Sequence, residues 1–199
     1  MEKMKYLLSL FLYALKGKEK ISINTLFRYV YIYYVSNTYL TGNKEITDTI
    51  AIDKNLGIGN YSLLNEALQD LNRTEYVTII DNINISVTDK LHKFIDDLLA
   101  QERAKQDLNR ILYFTEILSS YSEDVILSVF FNEPNFLDAV GRNQKVIYLN
   151  NNKLKQLLMK FEKIANEEYN NKLDKYDVFV SWLDYVFEDY VRGKDIDEK

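Results

Sequence analysis

Carboxylates and amines are the only reactive side chains present in number. The chain holds 30 Asp and Glu, 25 Lys and Arg, a single histidine and no cysteine. Without cysteine there is no disulfide framework, no thiolate zinc site, no iron–sulfur cluster and no thiol nucleophile. A lone histidine, His92, offers neither a metal cluster nor a second member for a relay. It falls between Leu91 and Lys93, off the apolar stripe, and reads as an ordinary exposed residue. Metal-dependent nuclease chemistry needs paired carboxylates with a lysine close by. Glu75, Asp81 and Lys90 come nearest, but their spacing is loose and the intervening turn would point them outwards. Gly57-Ile58-Gly59 lacks the third glycine and the lysine–serine pair of a phosphate loop, and reads as turn punctuation. No catalytic, cofactor-binding or metal-binding set follows. The expectation is a protein that is not an enzyme and carries no cofactor.

Charge bounds the partners. The net charge is −5 and the pI about 5.1, whereas nucleic-acid binding draws on a basic surface. Two local clusters remain as candidate nucleic-acid contacts. Lys16, Lys18 and Lys20 surround Gly17, and Lys153, Lys155, Lys160 and Lys163 lie on one helix, with Lys153 and Lys160 a heptad apart. Glu162, Glu167 and Glu168 stand near the second cluster, so a solvated mixed face is the competing reading. The apolar run at residues 6–15 is broken by Ser9. It falls short of the roughly 20 residues that span a bilayer and has no signal-peptide cleavage site, so a cytoplasmic protein is expected.

The elements that must position these groups are mostly helices. One proline and 6 glycines in 199 residues are few against the roughly 10 and 14 of average usage, and few breakers mean long elements. Apolar spacing gives helices over residues 3–16 and over the stretch from Ser22 or Asn24 to Leu40, the latter apolar around much of its circumference. Such a helix is either central or covered by a partner. Residues 45–52 read as a short strand or a link. Ser62 reads as the cap of a helix that carries Leu63, Leu64, Ala67, Leu68 and Leu71. Residues 76–80 and 83–87 form a hairpin around Asp81-Asn82, and Thr88 caps a helix through Leu99. Helical patterns follow over 101–121, 123–132, 136–140, 154–170 and 176–191, with a short extended stretch at 146–149. Residues 193–199 are charged and expected to fray. The division expected is 1–103 and 104–199, with a continuous helix able to join the two.

The stretch 63–99, an apolar-striped helix, a tight two-stranded hairpin and a threonine-capped helix, resembles a winged helix. The implied fold is mainly α with a small β-hairpin: an N-terminal winged helix-turn-helix and an all-helical C-terminal extension. In a DNA-binding winged helix the recognition helix carries Arg, Lys, Asn or Gln to base edges. Here residues 60–73 present Asn65, Glu66, Gln69, Asp70 and Asn72, with Arg73 as the only cation, and the hairpin tip carries no Lys or Arg. That pattern suits a protein partner better than DNA. Aromatic residues crowd two helices and are enriched at interfaces. The expected partner-binding residues are therefore Tyr29, Tyr33 and Tyr39 on the second helix, Glu66 and Asp70 on the third, and Trp182, Tyr185 and Tyr190 on the last.

The opening Tyr6-Leu7-Leu8, Tyr13-Ala14-Leu15 and Ile21-Ser22-Ile23-Asn24-Thr25-Leu26, with the Tyr-rich helix that follows, resembles the middle components of three-part bacterial defence systems of the Lamassu-like group. These pair an SMC-like or ABC-type ATPase with an effector. The resemblance implies a non-catalytic accessory subunit that docks on the ATPase and links it to the effector in antiviral or anti-plasmid defence. The alternative is a winged-helix DNA-binding transcription regulator or replication protein of a plasmid or phage.

Overall fold

The structure is a computed structural model that describes residues 2–42, 49–169 and 173–197. It is mainly helical with two small antiparallel sheets. In chain order the elements are α1 (Glu2–Ala14), β1 (Ile21–Ser22), α2 (Ile23–Thr41), β2 (Thr49–Asp53), β3 (Ile58–Gly59), α3 (Tyr61–Arg73), β4 (Val77–Ile80), β5 (Asn84–Val87), α4 (Asp89–Leu98), α5 (Glu102–Ser119), α6 (Glu123–Asn132), α7 (Pro134–Gly141), β6 (Val146–Tyr148), a 3-10 turn (Leu149–Asn151), α8 (Lys153–Tyr169) and α9 (Lys175–Asp197). No helix among the described residues is long and apolar enough to cross a membrane.

The chain forms two compact units, Met1–Val30 with Asn60–Tyr121, and Tyr31–Gly59 with Ser122–Lys199. Neither is a single stretch, so the units do not divide at residue 104. The chain passes from the first to the second within α2, and α5 stays with α1 in the first unit because Phe11 meets Phe114 edge to face at 6.3 Å. The continuous helix expected across residue 104 is interrupted. α4 stops at Leu98, and α5 restarts at Glu102 after a turn in which Gln101 N donates to Leu98 O.

In the first unit α1 is central. Leu8, Leu10, Phe11 and Leu12 are all fully buried, which needs neighbours on every side. Its tyrosines turn their hydroxyls to carboxylates, Tyr6 to Asp107 at 3.2 Å and Tyr13 to Asp96 at 2.7 Å. The sheet order is β1-β5-β4, with Ile21 opposite Ile85 and Ile79 opposite Ile85 on its other side. Asp81 and Asn82 turn the hairpin with φ of 52° and 57°, a region that Asn and Asp tolerate best after glycine. α3 ends in a paired-bond cap. Tyr76 N donates to Leu71 O and Glu75 N to Asn72 O, with Glu75 left-handed at φ 62°. One expected cap moves and one holds. α3 starts at Tyr61 after a left-handed Asn60, which leaves Ser62 inside the first turn. Thr88 takes the N-cap position of α4 as expected, while its hydroxyl donates to Glu75 O and Tyr76 O and so ties the helix start to the base of the hairpin.

In the second unit the sheet order is β3-β2-β6, with Ile52 opposite Gly59 and Ile50 opposite Ile147. The strand expected at 45–52 is β2 in its later part; residues 45–48 lie outside those described. Gly57-Ile58-Gly59 is turn punctuation, as read from sequence. Asp53 Oδ1 accepts from Asn55 N and Leu56 N, and Gly57 closes the turn at φ 61°. Ser122 caps α6, its Oγ accepting from Val125 N, and Pro134 occupies the first turn of α7, where its missing N–H costs nothing. α9 continues to Asp197, into the stretch from Gly193 for which the sequence predicts fraying.

α2 carries the largest correction. Every residue from Thr25 to Asn37 is buried. The helix is central, and of the two explanations for its all-round apolar surface the chain itself supplies the cover.

Candidate functional site

The predicted contact residues separate into buried and accessible ones. Tyr29, Tyr33, Tyr39 and Trp182 are buried and form no contact surface. The tyrosines follow from the burial of α2. Trp182 belongs to the inner stripe of α9 with Val178, Phe179, Leu183 and Val186, its ring 5.8 Å from that of Phe179. Tyr39 keeps its polar end satisfied by donating to Glu162 at 3.1 Å, and Lys175 Nζ donates to the Tyr39 carbonyl at 2.9 Å. Glu66 is exposed and Asp70 half-buried on α3; Tyr185 is exposed and Tyr190 half-buried on α9.

The α3 face is acidic. Asn65, Glu66, Gln69, Asp70 and Arg73 line a shallow groove of about 400 Å³. Asp70 is paired with Arg73 on its own helix and lies 3.7 Å from Lys5 of α1. The single cation of the α3 face is thus tied to a carboxylate. At the hairpin tip Ile83 stands exposed beside Asp81 and Asn82.

The lysines are placed differently in the two units. Lys16, Lys18 and Lys20 are exposed in the turn between α1 and β1, with Lys16 Nζ 3.9 Å above the Tyr13 ring. On α8, Lys153 and Lys155 are half-buried at the N-terminus, Lys160 and Lys163 are exposed, and Lys163 lies 3.8 Å from Glu167. Of the α8 lysines, Lys163 thus stands on a face of mixed charge.

The residues weighed for nuclease chemistry do not converge. Glu75 lies at the base of the hairpin beside Lys90, at 3.3 Å, while Asp81 is at the tip, with all of β4 between them. No group of three or more His, Asp or Glu among the described residues is placed to hold a metal ion. His92 is half-buried rather than open. Its ring meets Tyr13 edge-on at 5.9 Å, Nδ1 lies 3.9 Å from Asp89, and Nε2 is buried without a hydrogen-bond partner among the described residues.

Sequence reading does not single out the most elaborate polar arrangement, which is internal to the second unit. Glu133 is fully buried. Its Oε2 accepts from the Tyr31 hydroxyl at 2.5 Å and from Phe136 N at 2.9 Å; its Oε1 accepts from Asn135 N at 3.0 Å and Asn135 Nδ2 at 2.6 Å. Asn135 Nδ2 also donates to Asn152 Oδ1, and Asn152 Nδ2 donates to the Val35 carbonyl at 2.7 Å. Lys153 N donates to Asn135 Oδ1, and Lys155 N to Asn152 Oδ1. Glu133 caps α7 and Asn152 precedes α8, so one network satisfies two helix starts and holds both to α2.

Burial pushes the Glu133 carboxyl above the usual carboxylate range, against the opposing pull of its donors from Tyr31, Asn135 and Phe136. Burial, reinforced by Glu133, pushes the Tyr31 hydroxyl well above its ordinary value. Tyr34 and Tyr39 are raised by burial in the same way, and Tyr6 is pushed up to about 12 by burial and by Asp107. The partial signals in sequence were the Glu133-Pro134 step and the run Asn150-Asn151-Asn152, the latter read as a loop or cap cluster.

Comparison with known proteins gives no relative: no protein-family model matches the chain, and no curated protein or solved structure matches it.

Proposed function

We propose that the chain is a cytoplasmic, non-catalytic accessory subunit of a bacterial SMC-like or ABC-type ATPase complex of the Lamassu-like kind, docking on the ATPase and linking it to an effector. The first unit is read as a winged helix. The order α1, β1, α2, α3, β4, β5 and the antiparallel sheet order β1-β5-β4 support that reading. The second unit departs from a simple helical extension, because residues 31–59 lie between α2 and α3 and contribute β2 and β3 to it.

The observation that carries a protein partner over DNA is the α3 face. A recognition helix is held on DNA by cations that reach the phosphates, and the amides of Asn65 and Gln69 alone do not supply that. Here the only arginine is bound to Asp70, and Glu66 is exposed one turn away. The exposed turn with Lys16, Lys18 and Lys20 favours the second reading, a winged-helix regulator or replication protein that reaches DNA through paired basic loops of a homodimer. Light scattering and DNA mobility shifts at graded salt separate the two. An accessory subunit gives no homodimer that shifts DNA. A homodimer whose DNA affinity falls steeply with salt, and is lost when Lys16, Lys18 and Lys20 become Ala, overturns the proposal in favour of the regulator.

A further inference from the structure

The geometry points to the solvent face of α9 as the docking surface for a basic partner protein, an inference that deepens the accessory-subunit reading and rests on it for the existence of a partner. Val178, Phe179, Trp182, Leu183 and Val186 anchor one side of α9 in the interior, and α6 packs against it. The helical period places Asp177, Ser181, Asp184 and Glu188 together on the opposite side, at i, i+4, i+7 and i+11. All four are exposed. Beside them Tyr185 is 64% exposed, Phe187 41% and Val191 40%. Helical spacing sets Tyr185 on one flank of this acidic row and Phe187 with Val191 on the other, so accessible apolar groups of the kind enriched at protein interfaces border the row on both sides.

Charge then selects what covers it. Among the described side chains of this face the one cation is Arg192, 3.1 Å from Glu188. The second unit carries 18 acidic and 13 basic residues, against 12 and 12 in the first, so the net charge of the chain belongs by sequence to the unit that contains α9. An acidic face repels phosphate, and it repels a second copy of itself across a two-fold axis. It complements a protein surface whose Lys and Arg meet the central acidic row and whose apolar groups meet Tyr185 on one flank.

The test replaces Tyr185 with the photocrosslinking residue p-benzoylphenylalanine in the native host. Leu112 on α5, also exposed, is replaced in the same way as the control. Crosslinked peptides are then sequenced. The surface predicts capture of one partner protein from position 185 and not from 112, through a Lys- and Arg-rich segment. Capture falls about tenfold in Asp184→Lys/Glu188→Lys, and falls again when salt is raised well above the level at which the Debye length is roughly 10 Å. Both substituted residues are exposed, so the variant melts at the parent temperature; Asp184→Asn/Glu188→Gln serves if it does not. Absence of capture, capture of a second copy, or capture indifferent to charge reversal overturns the surface. A basic partner that is not an ATPase keeps the surface and overturns the accessory-subunit reading. An ATPase that copurifies but never crosslinks from 185 does the reverse.

Discussion

At the scale of single residues, the decisive feature is how little room surrounds the second glycine of Gly57-Ile58-Gly59. A Cβ on Gly59 would run into the Tyr31 ring, and would stand 2.8 Å from Ile50 Cγ2. Both neighbours are fully packed, so neither can yield cheaply. Gly59→Ala is therefore expected to destabilise by about 1–3 kcal/mol, the ordinary cost of overpacking. The buried Trp182 lies in the same unit and is the only tryptophan of the chain, so urea unfolding followed by its fluorescence reads that unit. An unchanged midpoint would contradict the packing described. Sequence shows that glycines punctuate a turn here. It does not show that one of them is required by a tyrosine 28 positions earlier, because that contact exists only after β3 is laid against β2 and α2.

At the scale of elements, the apolar circumference of α2 and the cap of α6 are legible, because helical spacing and Ser122 are local signals. Two things are not. A period of 3.6 cannot distinguish a helix covered by its own chain from one covered by a partner, so Tyr29, Tyr33 and Tyr39 read as a surface. Nor can it locate Glu133, whose four donors come from α2 and from the two residues beyond Pro134. The network makes a test with a definite sign. Gln at 133 can accept through one oxygen only, so a buried donor loses its partner and Glu133→Gln costs about 1–3 kcal/mol. The carboxyl is raised in the folded state, which keeps a proton that the unfolded chain has already released. Stability therefore falls as pH climbs from the ordinary carboxylate range through the raised value, with the slope set by the excess of protons on the folded state. The slope is expected to disappear in Glu133→Gln. A parent protein whose stability is flat, or rises, across that window would contradict the assignment.

At the scale of the molecule, the mainly helical fold and its first hairpin follow from composition and pattern, while the discontinuous units do not. A periodic sequence reads as a string of neighbours, and nothing local in it says that residues 31–59 pack with 122–199 while α5 returns to α1. Function has the same limit. The features that bear on function among the described residues are surfaces: an α3 face whose arginine is paired with Asp70, and an acidic α9 face bordered by aromatic residues. The most direct measurement is affinity purification of the tagged full chain from its native host, with nuclease treatment and mass spectrometry. An accessory subunit is expected to bring down a stoichiometric SMC-like or ABC-type ATPase that survives nuclease treatment. Recovery of the chain alone, or only with DNA that nuclease removes, would contradict that role.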